Sequence, residues 1–153
     1  MNRATETTAK IIASVFYIGH IPFASGTFGT LAGVAFIWLV QPSLMWQAIV
    51  LALTVLIGIK AADISEKAYG TKDSRQIVID EVAGYFCSII FLPLTPVYIV
   101  AAFFLFRIFD IWKPGPVSAC EKLKGGLGVM MDDVAAGILT NLLLQIVRLV
   151  INF

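Results

Sequence analysis

Ten acidic side chains occur in the 153 residues, and half of them fall in three short blocks: Asp80-Glu81, Asp110 and Asp132-Asp133. Each block borders a long apolar run. Carboxylate oxygens suit a hard cation such as Mg²⁺ or Mn²⁺. Acids gathered at one level repel one another, and such a cluster is costly without a counter-ion. Arg107 lies three residues before Asp110, so on a helix the two share a face. Lys113 follows in the same run, FRIFDIWKPGP. A guanidinium binds phosphate bidentately and an ammonium binds it as a point charge. Acids that hold a cation, with bases beside them, suit hydrolysis of a phosphate ester by metal-activated water.

Other phosphate chemistries lack their residues. A cysteine phosphatase needs an arginine six residues after its thiolate. Pro93 stands six after Cys87, and Gly126 six after Cys120. His20 is the single histidine, and no Asp-x-Asp pair exists for an aspartyl-phosphate route. The Asp-Gly-x-x-Ala-Arg run of CDP-alcohol phosphatidyltransferases is also missing. Helix-dipole pairing accounts for acids at a helix N-terminus, yet Asp110 is expected at a helix C-terminus, where an acid is disfavoured. Lys60, Lys67, Lys122 and Lys124 read as snorkelling anchors. Two glycine-rich blocks complete the inventory. SGTFGT at 25–30 opens a helix whose free amides could meet phosphate, and GGLG at 125–128 leads into Asp132-Asp133.

The elements that must carry these residues are membrane helices. No Asp, Glu, Lys or Arg occurs in the 49 residues between Lys10 and Lys60, the 25 between Glu81 and Arg107, or the 14 between Asp133 and Arg148. Such gaps signal membrane spans. Gln41-Pro42-Ser43 divides the first gap and Pro93-Leu94-Thr95-Pro96 the second, because proline stops one helix and starts the next. Five spans are expected, at roughly Phe28–Val40, Leu44–Tyr69, Ser74–Leu92, Pro96–Trp112 and Val129–Val150. Ser43, Asp73 and Thr95 are expected N-caps, Asp73-x-x-Gln76 a capping box, and Gly70 a C-cap. Ala9–Ile18 is expected to be an interfacial helix. With the two proline turns on one side, ten of the eleven basic residues fall on the other, leaving only Arg148. The positive-inside rule makes that side cytoplasmic. Asp80 lies 13 residues before Pro93, and Asp110 14 residues after Pro96. Both are then about 20 Å from the outer turns, at one level near the cytoplasmic end. Asn141 and Gln145, one turn apart, are expected to bond between helices.

Composition supports this reading. Hydrophobic residues make up 59% and charged residues 14%, with a mean hydropathy of +0.89, against about 25% charge in soluble domains. A soluble globule is nearly ruled out on that basis. A net charge of +1 argues against a nucleic-acid partner. Two cysteines form no disulfide framework, the polar start MNRATETTAK is not expected to act as a signal peptide, and the length suits one domain over residues 1–153.

Four blocks, in order, resemble the phosphatidylglycerophosphatase A family: SGTFGT, DSRQIVIDEVAG, FRIFDIWKPGP and GGLGVMMDDVAAG. The departures are Ala24-Ser25-Gly26 where the family often has Ala-Pro-Gly, and Lys72 where a histidine often stands. The resemblance implies a Mg²⁺-dependent membrane phosphatase of a bacterial inner membrane. It would convert phosphatidylglycerophosphate to phosphatidylglycerol and inorganic phosphate. Carried over by residue, it picks out Asp73, Asp80 and Glu81, then Arg107, Asp110 and Lys113, then Asp132 and Asp133, with Thr27 and Thr30 near the N-terminus.

The expectation is therefore an all-α polytopic membrane bundle of about five spans with an N-terminal interfacial helix. Asp80, Glu81, Asp132 and Asp133 are expected to hold Mg²⁺, with Asp110 a further ligand or the orienter of water. Arg107 and Lys113 are expected on the terminal phosphate, with Thr27, Thr30 and Asp73 as further substrate contacts. No protein partner is implied. The rivals are a phospholipid headgroup transferase and, more remotely, a small cation channel or transporter.

Overall fold

Proline and glycine set most of the helix ends in the computed structural model, which describes residues 2–151. The described residues form seven α-helices and one 3-10 turn, with no strand among them. The helices are α1 (Arg3–Ala13), α2 (Ser25–Val40), α3 (Leu44–Tyr69), α4 (Ile79–Ile89), α5 (Pro96–Trp112), α6 (Gly115–Cys120) and α7 (Gly126–Ile151). Pro96 opens α5 at its first position, where a missing N–H costs nothing. Gly70 closes α3 in the left-handed conformation (φ +70°), and its N–H donates to the Glu66 carbonyl at 2.8 Å. Ser43 and Thr95 occupy N-cap positions, but their side chains make no capping bond.

Several boundaries differ from expectation: α2 and α7 each start three residues early, at Ser25 and Gly126, and α4 ends at Ile89. The first helix lies at Arg3–Ala13 rather than Ala9–Ile18, because the Asn2 side chain accepts the Ala4 N–H at 3.2 Å and caps it early. Val15, Phe16 and Tyr17 then turn left-handed into a 3-10 turn at Ile18–His20. The fourth helix starts at Ile79 rather than Ser74. No capping box forms: Asp73 adopts φ +48°, its N–H donates to Glu66 Oε1 at 2.6 Å, and the Ser74 hydroxyl donates to Gln76. The short helix α6 was not expected at all.

The expectation of about five spans is also corrected. Among the described residues, α3 and α7, at 26 residues each and with an 18-residue stretch of mean hydropathy 2.0, are the two helices long and apolar enough to cross a membrane. Each measures about 39 Å. Helices α2 and α5 reach 16 and 17 residues. Helix α4 has 11, about 16 Å, and is buried on nearly every side against α2, α3, α5 and α7. It is the axis of the bundle, not a lipid-facing span. Around it the exterior is apolar: Trp38, Leu53, Leu56, Phe104, Ile111, Leu142 and Leu149 are all exposed. So large an apolar surface suits lipid rather than water.

A helix that stops inside a bundle leaves carbonyls without partners. Helix α7 supplies them. Asn141 Nδ2 donates to the carbonyls of Ser88 (3.0 Å) and Ile90 (2.6 Å), and Gln145 and Arg148 each reach the Phe91 carbonyl at 3.4 Å. The polar residues of the last helix thus cap the end of α4. Glycines let the two helices approach: a Cβ on Gly137 would run into the Gly84 carbonyl, and one on Gly84 would lie 2.7 Å from the Asp133 carbonyl. This contact fixes the first turn of α4 against the start of α7, where the acids stand.

Candidate active site

The first turn of α4 carries Asp80 and Glu81, and the second turn of α7 carries Asp132 and Asp133. The end of α5 brings Arg107 and Asp110, and Lys113 is its C-cap at φ +47°. Asp80, Glu81 and Asp133 converge: each offers a carboxylate oxygen, and these atoms all lie within 4.8 Å of one another. Asp80 is 6% exposed and Asp133 4%. Asp80 Oδ1 accepts the Glu81 N–H at 3.1 Å, whereas Glu81 Oε2 and Asp133 Oδ2 have no hydrogen-bond partner. Asp110 adjoins both Glu81 and Asp133. Its carboxylate is bound to Arg107 Nη1 at 2.6 Å.

Four acids therefore gather in a largely buried space, with the Arg107 guanidinium beside Glu81 and Asp110. Uncompensated carboxylates there are strongly unfavourable. One oxygen from each of the three carboxylates lies within 4.8 Å of the others, near the width of about 4 Å across the oxygen shell of a small divalent cation. The donor set is all oxygen, as Mg²⁺ prefers. The residues thus fit a hard divalent cation.

Asp132 takes a different direction from its neighbour. Its Oδ1 accepts the Asp133 N–H at 3.1 Å and its Oδ2 accepts a bond from Lys113 Nζ at 2.9 Å. The same ammonium lies 3.1 Å from Glu121 Oε1. Asp73 lies near this second group. Its carboxyl is raised by the chain packed around it and by Glu121, Glu66 and Asp110, against the lowering effect of Lys113.

The N-terminus of α2 closes another side. A Cβ on Gly26 would collide with Glu81 Oε1 and lie 3.3 Å from Arg107 Nη1. A side chain at this helix start would therefore displace the Glu81 carboxylate from its present place. Ala24, the cap residue, makes no side-chain cap, so the first amides of α2 remain available near Arg107. Thr27 is partly exposed on that turn. Thr30 is fully buried, and its hydroxyl donates to the Gly26 carbonyl at 2.9 Å, so it supports the turn rather than opening towards the acids. The Ser25 hydroxyl donates to the Arg75 carbonyl at 2.7 Å and ties α2 to the loop before Asp80. Two participants had no site reading from sequence. Gly26 could have been found inside the SGTFGT block. Glu121 had no signal, since its contact depends on the unexpected α6.

The acid centre and the guanidinium beside it belong to a chain whose family and relatives are lipid phosphatases. The chain belongs to the phosphatidylglycerophosphatase A family, whose model matches residues 11–148. It is similar to the Escherichia coli phosphatidylglycerophosphatase A, with 34% identity over 85% of this chain and 77% of that protein. The Haemophilus influenzae protein of the same name is 39% identical over 84% of this chain and 81% of its own length. A Bacteroides thetaiotaomicron protein, provisionally named a phosphatidylinositol-3-phosphatase, is 40% identical over 93% of this chain and 94% of its own. No solved structure matches the chain significantly.

Proposed function

We propose that the chain removes the terminal phosphate of phosphatidylglycerophosphate, releasing phosphatidylglycerol and inorganic phosphate. The reaction is Mg²⁺-dependent and takes place at the cytoplasmic face of a bacterial inner membrane. The observation that carries this reading is the buried convergence of Asp80, Glu81 and Asp133, with free carboxylate oxygens beside Arg107.

Asp80, Glu81 and Asp133 would hold the cation. When bound, it supplies a water that is nucleophilic at neutral pH and neutralises charge on the phosphate. Arg107 Nε, which has no hydrogen-bond partner, donates to a phosphate oxygen. Asp110 holds the guanidinium in place at 2.6 Å and lies where it can orient the attacking water. The open amides of α2, with Thr27, supply further donors to the headgroup. Lys113, held by Asp132, adds a second positive charge. Charge stabilisation by fixed donors is the main contribution the chain itself makes to such a transfer.

The membrane placement follows from charge and surface. Helices α3 and α7 cross the bilayer, with α2 and α5 completing a multi-pass bundle around α4. Ten of the eleven basic residues, all but Arg148, lie on the acid side, which is cytoplasmic by the positive-inside rule. The scissile phosphate then meets the acids while the acyl chains stay in lipid. Asn141 and Gln145 are engaged with carbonyls, which leaves a channel reading without a polar path through the bundle.

The test is phosphate release from phosphatidylglycerophosphate by the purified protein in detergent, with Mg²⁺ and then with EDTA. Release that EDTA stops and Mg²⁺ restores is expected. No release from folded protein would sink the reading, and release that ignores EDTA would sink the metal requirement. The 40% identity to the provisionally named phosphatidylinositol-3-phosphatase favours a second reading, in which the polyol is inositol. Running both lipids in the same assay decides between them by kcat/KM.

A further inference from the structure

Lys113 pairs with two carboxylates, and the two differ. Asp132 is 6% exposed at its side chain and lies 2.9 Å from Nζ; Glu121 is 45% exposed and lies 3.1 Å away. Asp132 is further fixed by accepting the Asp133 N–H. The backbone of Glu121 is tethered as well: its carbonyl accepts a bond from Lys72 Nζ at 2.9 Å, and its N–H donates to the Val117 carbonyl at 3.2 Å. Its side chain can therefore leave Lys113 by rotation alone. Breaking a buried ion pair is costly, whereas an exposed one contributes little. An incoming anion would displace Glu121 and leave Asp132 in place.

We infer that Lys113 is an anion subsite for a phosphate of the lipid headgroup, and that Glu121 occupies it in the ligand-free protein as an exchangeable stand-in for that phosphate. This rests on the lipid-phosphate reading above. Carboxylate and phosphate oxygens meet an ammonium at the same distance and with the same sign of charge. The anion is either the phosphomonoester that is cleaved or the phosphodiester that links the headgroup to the lipid. Asp132 is then a positioning residue, which holds the ammonium at the subsite from below.

The test is equilibrium binding to the full-length protein in detergent with Mg²⁺ present. Inorganic phosphate probes the monoester, and phosphatidylglycerol, which carries only the diester, probes the other. Glu121→Gln removes the competing charge and keeps the shape. It should tighten binding of one probe by about two- to fivefold, the range expected from an exposed ion pair. Tightening for inorganic phosphate assigns the monoester to Lys113, and tightening for phosphatidylglycerol assigns the diester. The gain should vanish when Glu121→Gln is made on a Lys113→Gln background. Unchanged binding of both probes, or a gain that persists without Lys113, overturns the proposal. Because these are binding readouts, they stand apart from turnover: a wild-type protein that binds phosphate but releases none from phosphatidylglycerophosphate refutes the substrate reading instead.

Discussion

Asp132 Oδ1 accepts the backbone N–H of Asp133 at 3.1 Å, and from there the two neighbouring carboxylates serve different centres. Asp133 joins Asp80 and Glu81, while Asp132 Oδ2 binds Lys113. Successive residues on an α-helix point about 100° apart, so one adjacent pair can divide a site into an acid centre and a cation subsite. The two halves should respond to different substitutions.

Asp133→Asn and Glu81→Gln should each lower turnover by more than about a hundredfold. Losses of 10- to 100-fold already follow from disturbing the partners of metal ligands. The variants should remain folded, because relieving crowded acids removes repulsion. Phosphate-release kinetics with a circular-dichroism control check this. Near-wild-type turnover in Asp133→Asn would remove it from the centre.

Asp132→Asn should act on KM more than on kcat, since it frees Lys113 without emptying the acid centre. Its steady-state parameters, set beside those of Asp133→Asn, give the comparison. Identical kinetic defects in the two variants would contradict the division of the site.

Asn141→Leu should destabilise the bundle by about 1–2 kcal/mol, the scale of hydrogen bonds between membrane helices. It leaves the Ser88 and Ile90 carbonyls unpaired at the buried end of α4. A lower unfolding temperature in detergent is the expected result, with turnover of the surviving folded protein near normal because the acids lie at the other end of α4.

Gly137→Ala should cost about 1–3 kcal/mol, as overpacking does, and should lower activity too. The added Cβ would press on the Gly84 carbonyl and lie 2.9 Å from Cys87 Cβ, forcing α4 and α7 apart where they align Asp80 with Asp133. Thermal unfolding and turnover measured together check both effects. A stable, fully active variant would show that the close approach is not needed.

Much of the scaffold was legible from local chemistry. Leu44–Tyr69 and Pro96–Trp112 have the expected ends, because a proline turn, Pro96 and Gly70 act within one helical turn of where they sit. That the acids share one end of the bundle was legible from their distances to the proline turns. The start of α4 was not. Asp73 and Gln76 have capping-box spacing, but Glu66 and Ser74 take their hydrogen bonds first, and the backbone turns left-handed at Asp73. Nor could spacing separate Asp132 from Asp133, since that depends on Lys113, 19 residues away, returning through α6. The shortness of α4 was hidden for a related reason: its carbonyls are capped by Asn141, more than 50 residues along the chain.

The most direct test of the acid centre is calorimetric titration of Mg²⁺ into the purified wild-type protein, Asp133→Asn and Asp132→Asn in the same detergent. Binding by the wild type and Asp132→Asn, with none by Asp133→Asn, is the predicted result. Wild-type affinity in Asp133→Asn, or loss of binding in Asp132→Asn alone, would contradict a centre built from Asp80, Glu81 and Asp133.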